Sequence, residues 1–180
     1  MVCLSCRGRG PSLCAECGRS VRPGGESNTP GGLVVHSWAI HEGAARTLVR
    51  RLKYEGVTAV AHLVARDLCD RVPADAAALV PVARPLVRRV RYGVDPAVVL
   101  ARALGEHCGL PVVGALVPPF WNRPNAGSVR DERRPPRFRT GFETPGAVLV
   151  DDVVTTGVTL DAAASILGQA AVALTITRAP

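Results

Sequence analysis

Aromatic residues are scarce in this chain: two Trp, two Tyr and three Phe among 180 residues. A core without rings must be filled by Val, Leu and Ala, the composition of a sheet covered by helices. Lysine is nearly absent too. Of 22 basic residues only Lys53 is lysine, and the rest are arginine, for a net charge of +7. The arginines cluster at 84–91 and 123–139, with no run of aromatic residues alternating between them beyond the single Phe138. That pattern argues against a base-stacking groove for single strands. It leaves open both a compositional preference for arginine and an affinity for phosphates. No apolar run approaches the roughly 20 residues that span a bilayer. The first residues, "MVCLSCRGRG", hold no apolar signal segment. The expectation is a cytoplasmic protein without membrane insertion. Its length suits one domain and a small appendage.

What is present is concentrated at two places. Four of the six cysteines fall in the first 17 residues, as the CxxC pairs Cys3/Cys6 and Cys14/Cys17. Two knuckles this close fold a short chain around one tetrahedral Zn²⁺, with iron or redox-active thiols as alternatives. Four thiolates fill all positions, so such a site is structural, and the metal supplies the folding energy of residues 1–20. Gly18 is expected to take the positive φ that a knuckle needs. Cys69 and Cys108 stand alone in apolar helical stretches and read as buried packing residues, not a disulfide pair. Residues 21–32, "VRPGGESNTPGG", read as a linker.

From residue 33 onward, strands and helices alternate. "LVVHSWAI" (33–40) is a strand. Ala45, Leu48, Val49 and Leu52 mark a helix stopped by Gly56. Val57, Val60, Ala61 and Val64 mark a second, ended by Pro73. "AALVPV" (77–82) is a strand, and Asp95-Pro96 opens a helix with Leu100, Ala103 and Leu104 inside. "LPVVGALV" (110–117) is one strand or two, "AVLVD" (147–151) a strand, and "AVALTITR" (171–178) the last. A helix from about 158 carries Leu160, Ala163, Ala164 and Leu167 inward. Such alternation predicts an α/β domain, 33–180, with a parallel sheet. Residues 118–146, rich in proline and arginine, interrupt it as a flexible loop: a lid over a site or a disordered segment.

The second concentration is "VLVDDVVTTGVTL", 148–160. Active groups of open α/β sheets gather at the carboxyl ends of strands. Here Asp151 and Asp152 end a strand, and Thr155, Thr156, Gly157 and Thr159 lead into a helix. A helix N-terminus with hydroxyl donors and a glycine is a phosphate cradle. The acids would repel phosphate and suit sugar hydroxyls, with or without Mg²⁺. Phosphate on one side and a diol on the other describe a ribose 5-phosphate.

This stretch resembles the phosphoribosyl pyrophosphate (PRPP) motif of type I phosphoribosyltransferases, which is a hydrophobic strand, two acids, then Thr-Thr-Gly-x-Thr. The CxxC pairs, "RRLKYEG" (50–56) and "VPVAR" extend the resemblance to the ComF family, linked to competence for DNA uptake. The resemblance implies a type I phosphoribosyltransferase-like domain behind a zinc module. It implies Asp151 and Asp152 on the ribose hydroxyls and as the catalytic acids, and PRPP held along Val153, Val154, Thr155, Thr156, Gly157, Val158 and Thr159. Mg²⁺ would accompany PRPP, and a nitrogenous acceptor would displace pyrophosphate. Lys53 and Tyr54 match the family at the first helix, and otherwise read as an ordinary helix end. Arg84, Arg88, Arg89 and Arg91 are pyrophosphate candidates or a solvated basic face. The chain departs from the family where Pro81-Val82-Ala83 replaces Pro-Val-Pro. It departs again where Tyr92-Gly93-Val94-Asp95-Pro96 replaces Arg-Gly-Phe-Asn-Gln. In the long loop Asn125 and Arg133 stand near the family's Gln and Arg, and Pro136 falls at its Asn. These departures favour the alternative: a non-catalytic accessory protein that binds a nucleotide, DNA or DNA-uptake proteins.

Overall fold

The computed structural model describes residues 1–82, 93–117, 138–140, 144–168 and 170–180. A five-stranded mixed sheet, mostly parallel, forms the frame, in the order β1-β2-β7-β6-β3. Strands β2 (Val34–Ile40), β7 (Val172–Arg178), β6 (Ala147–Val154) and β3 (Ala78–Pro81) run parallel. The edge strand β1 (Pro23–Asn28) is antiparallel to β2, from Pro23 opposite Ala39 to Asn28 opposite Val34.

That edge corrects the linker expected at 21–32. Its residues show no β-branched pattern because little of the strand faces a core. Gly24 instead lies flat on β2, where a Cβ would fall 2.5 Å from the Ser37 carbonyl oxygen. Glycine here permits close backbone approach, a use that composition alone does not separate from looseness.

Helices cover both faces. On one lie α2 (Gly43–Glu55), α3 (Ala59–Leu68) and α4 (Pro96–Cys108). Their stripes of Leu48, Leu52, Val64, Leu100 and Leu104 pack on Val148, Val150, Leu174 and Ile176. On the other lies α5 (Val158–Leu167), where Leu160, Ala163 and Leu167 meet Val35, Leu149 and Ala173. Gly56 and Gly109 end α2 and α4 with φ of 67° and 71°, the left-handed cap that glycine adopts cheaply. α1 (Ala15–Arg19) is a short helix at the second CxxC pair. Two short strands, β4 (Leu116–Val117) and β5 (Arg139–Thr140), pair beside the sheet. Phe138, from the segment expected to be a loop, is buried with Leu160 and Leu167.

Three further expectations change. The second helix ends at Leu68 and tightens into a 3₁₀ turn, Cys69–Arg71, before Pro73. Val72 is already extended, as a residue preceding proline prefers. Cys69 and Cys108 are half-buried and joined as a disulfide, with 5.8 Å between Cα atoms. Cys69 stands in the 3₁₀ turn and Cys108 at the last residue of α4, where Cys108 also packs against the core, as expected. The strand of "AVLVD" continues to Val154. No helix among the described residues is long and apolar enough to cross a membrane.

Candidate functional site

The four N-terminal cysteines converge: their sulfurs all lie within 4.8 Å of one another. Zinc–thiolate bonds of about 2.3 Å in a tetrahedron put sulfurs about 3.8 Å apart. The Cys6 and Cys14 sulfurs are separated by 3.8 Å. The donor set and spacing fit a structural zinc ion. In the first knuckle the Cys3 N–H donates to the Gly8 carbonyl at 2.8 Å, and the Arg7 N–H to the Cys3 carbonyl at 3.0 Å. The left-handed residue is Arg7, at φ 67°, and not Gly18, which lies inside α1. A helical second knuckle needs no positive φ at Gly18, because its N–H already reaches the Cys14 carbonyl at 2.8 Å. The Cys14 N–H donates to the buried Cys3 sulfur at 3.4 Å. That bond leads the causes that pull the Cys3 thiol down to about 6. A thiolate at neutral pH is the form that binds metal.

The acids lie within β6. Pairing with β3 stops at Pro81 opposite Val150, whereas pairing with β7 continues to Val154 opposite Arg178. Among the described residues, nothing pairs with the strand on the β3 side from Asp151 onward. The packing of its faces also changes over at the acids. Val148 and Val150 pack with α2, α3 and α4, and Ala147 and Leu149 with α5. Beyond the acids Val153 packs on the first side and Val154 on the second. The Asp152 N–H donates to Asp151 Oδ1 at 2.7 Å.

Lys53, from the last turn of α2, places Nζ 2.8 Å from Asp152 Oδ2, with side chains only 15% and 7% exposed. Burial, and then the neighbouring Asp152 carboxylate, push the Asp151 carboxyl well above the usual carboxylate range. One ammonium thus offsets one of the two carboxyl charges. Carboxylate oxygens beside an ammonium can accept hydrogen bonds from the hydroxyls of a vicinal diol.

His41 completes this cluster, and no motif in the sequence marks it as a member. It follows β2, and its Nδ1 lies 2.8 Å from Thr177 Oγ1 on β7. Burial, then Lys53 and Arg46, lower its pKa below 6.5. The signal in hindsight is position, since it too stands at the carboxyl end of a parallel strand.

After β6 the chain turns through exposed Thr155 and Thr156 to buried Gly157, which caps α5 with φ 78° and no side-chain cap bond. Val158 is half-buried and Thr159 exposed in the first turn. This helix start and the two exposed hydroxyls make a candidate anion cradle. Neither a family model nor a curated protein matches the chain. Beside the cradle lies a cavity of about 210 Å³, bordered by Thr155, Thr156, Gly157, Ser27, Asn28 and Arg178. Arg178 is oriented by its Nε, which donates to the Gly24 carbonyl at 2.7 Å. The segment after β1 locks onto α5. Thr29 Oγ1 donates to Asp161 Oδ1, and the Gly31 N–H to Asp161 Oδ2 at 3.0 Å. Asp161, an acid in the first turn of α5, is thereby occupied beside the cradle.

Tyr54 is exposed one residue beyond Lys53. Arg84, Arg88, Arg89 and Arg91 lie outside the described residues, as do 118–137 and 141–143 of the expected lid, including Asn125, Arg133 and Pro136.

Proposed function

We propose that the chain binds PRPP, or a related ribose 5-phosphate, at the β6–α5 turn and transfers the phosphoribosyl group to a nitrogenous acceptor. The observation that carries this reading is the juxtaposition, along one strand-turn-helix, of an acid pair held by a lysine ammonium and a helix N-terminus with no side-chain cap, preceded by exposed threonines. Asp151 and Asp152 engage the ribose hydroxyls, with Lys53 holding Asp152. Thr155, Thr156 and Thr159, with the backbone from Val153 to Val158, hold the 5-phosphate. The carboxylate oxygens of Asp151 and Asp152 suit Mg²⁺, which when bound with PRPP would supply positive charge against the departing pyrophosphate. In the reaction the C1–oxygen bond to pyrophosphate breaks as a bond from the acceptor nitrogen forms, and the proton of that nitrogen passes to the departing pyrophosphate or to water. The sugar is oxocarbenium-like at the transition state, so positioning and electrostatics supply most of the acceleration. On this reading the fold is of type I phosphoribosyltransferase kind, residues 1–20 are a ComF-like zinc module, and the protein works in the cytoplasm.

The test is calorimetric titration of PRPP into zinc-loaded protein with Mg²⁺, beside the Asp151→Asn/Asp152→Asn variant. Saturable binding that the double variant loses is expected. No binding by folded wild-type protein sinks the proposal.

The altered segments 81–83 and 92–96 favour a second reading. In it the chain is a non-catalytic ComF-like accessory protein in DNA uptake or handling, and the cradle holds a nucleotide as ligand. PRPP binding without pyrophosphate release across a panel of nucleobases supports this reading over the enzyme.

A further inference from the structure

The cysteine knuckle lies along α2, and it grips the helix at both ends. At the start of α2, Arg22 pairs with Glu42 at 3.0 Å. A Cβ on Gly43 would stand 3.1 Å from the Ser20 carbonyl oxygen. Ser20 is itself tied to the Cys17 carbonyl through its N–H at 3.2 Å and its hydroxyl at 2.8 Å. At the end of α2, Arg51 Nη1 donates to the carbonyl of Leu4, which lies between Cys3 and Cys6. Arg51 Nε and Arg7 Nη2 both reach Glu55 Oε2, at 3.1 and 2.8 Å. Leu4 and Leu13 pack against the core that contains Leu48 and Leu52.

Residues 51 and 53 stand about 200° apart around a helix. The last turn of α2 is therefore held from opposite sides, by the knuckle at Arg51 and by the sheet through Lys53 and Asp152. A terminal helical turn frays unless something outside the helix fixes it. Leu52 in the core and the Gly56 cap on the Arg51 carbonyl fix the turn on its own side; the Leu4 carbonyl and the Arg7 guanidinium add a hold from a segment too short to keep its shape without metal.

We propose that the metal-loaded knuckle is a positioning device for the acid pair. By holding the last turn of α2 through Leu4 and Arg7, it sets Lys53 against Asp152 and makes ligand binding at β6 depend on the metal in the knuckle. Arg51 is then a positioning residue that acts through Lys53. The dependence of the α2 turn on the knuckle stands on contacts alone; the effect on ligand affinity rests on the function proposed above.

The experiment compares the zinc-loaded full chain with the chelated chain and with Arg51→Ala, each checked for metal content. Amide hydrogen exchange is read across residues 52–56, and PRPP affinity is measured with Mg²⁺. Arg51→Ala is expected to keep its metal, to exchange roughly tenfold faster in that turn and to bind PRPP roughly tenfold more weakly. In a Lys53→Met background, Arg51→Ala should change PRPP affinity by less than about twofold while its effect on Tm persists. A purely structural role for Arg51 would weaken affinity equally in both backgrounds. Unchanged exchange at 52–56 in metal-retaining Arg51→Ala overturns the proposal, and so does unchanged affinity in a variant whose turn has loosened. If wild-type protein does not bind PRPP, the proposed function falls, and the exchange arm still decides this inference.

Discussion

Gly157→Ala separates two costs that usually arrive together. The residue has φ 78°, a conformation that costs an alanine about 1–2 kcal/mol. It also touches Thr29: an added Cβ would sit 2.7 Å from Thr29 Cγ2, 2.9 Å from its Cβ and 3.2 Å from its Cα. Ordinary carbon contacts lie at about 3.5–4.0 Å, so Thr29 must retreat by most of an ångström. Thr29 cannot retreat cheaply. Its hydroxyl is bound to Asp161 and to the Leu33 N–H, and its backbone N–H donates to the Leu33 carbonyl at 2.9 Å. Overpacking of that kind adds about 1–3 kcal/mol. The expected loss is about 2–5 kcal/mol, read by urea unfolding at unchanged m-value, with Tm falling about 3 °C per kcal/mol. Gly109→Ala is the control, because Gly109 has φ 71° and an added Cβ there would meet nothing within 4 Å. It should lose only about 1–2 kcal/mol. In a Thr29→Gly background, which carries its own cost from the lost hydroxyl bonds, Gly157→Ala should cost little more than Gly109→Ala does. Equal losses at the two glycines would refute the reasoning, and with it the claim that the 29–33 segment rests on the cradle.

Three other outcomes are expected. Cys14→Ser should abolish zinc binding measured by atomic absorption, and limited proteolysis should then cut within residues 1–20 before the sheet. Asp152→Asn leaves the Lys53 ammonium without its partner and should destabilise the fold by about 3 kcal/mol in urea, the low end for a buried pair because Asp151 stands near enough to take the charge. Lys53→Met in that background should restore much of the loss. His41 has its folded pKa depressed below 6.5, so the stability it contributes is fully present above about pH 6.5 and is lost as pH falls through the lower folded value. Against wild type, His41→Gln should show a flatter decline in Tm over that window; identical pH profiles would remove His41 from the buried cluster.

Periodicity made the helices readable, because each buries one stripe and each stripe repeats at helical spacing. Leu48, Val49 and Leu52 needed no partner to announce α2, and Gly56 announced its end. The parallel character of the sheet followed from strands alternating with helices, and the convergence of four cysteines from the close spacing of the two knuckles. The acid pair and threonine turn were legible as a candidate anion and diol site because all of it lies on one contiguous strand-turn-helix. What failed was whatever depends on a neighbour distant in sequence. Strand β1 looked like a linker because its glycines are explained only by the Ser37 backbone beneath Gly24. Cys69 and Cys108 looked like packing residues until α3 and α4 brought their ends together. His41 carries no local pattern and enters the cluster only because β2 ends beside β7. Local spacing along the chain was enough to assign most helices and strands, since it specifies an amphipathic face. The meeting of Lys53 with Asp152, and the hold of the knuckle on α2, came from the folded arrangement alone, since a charge pair across 99 residues leaves no periodic trace in the chain.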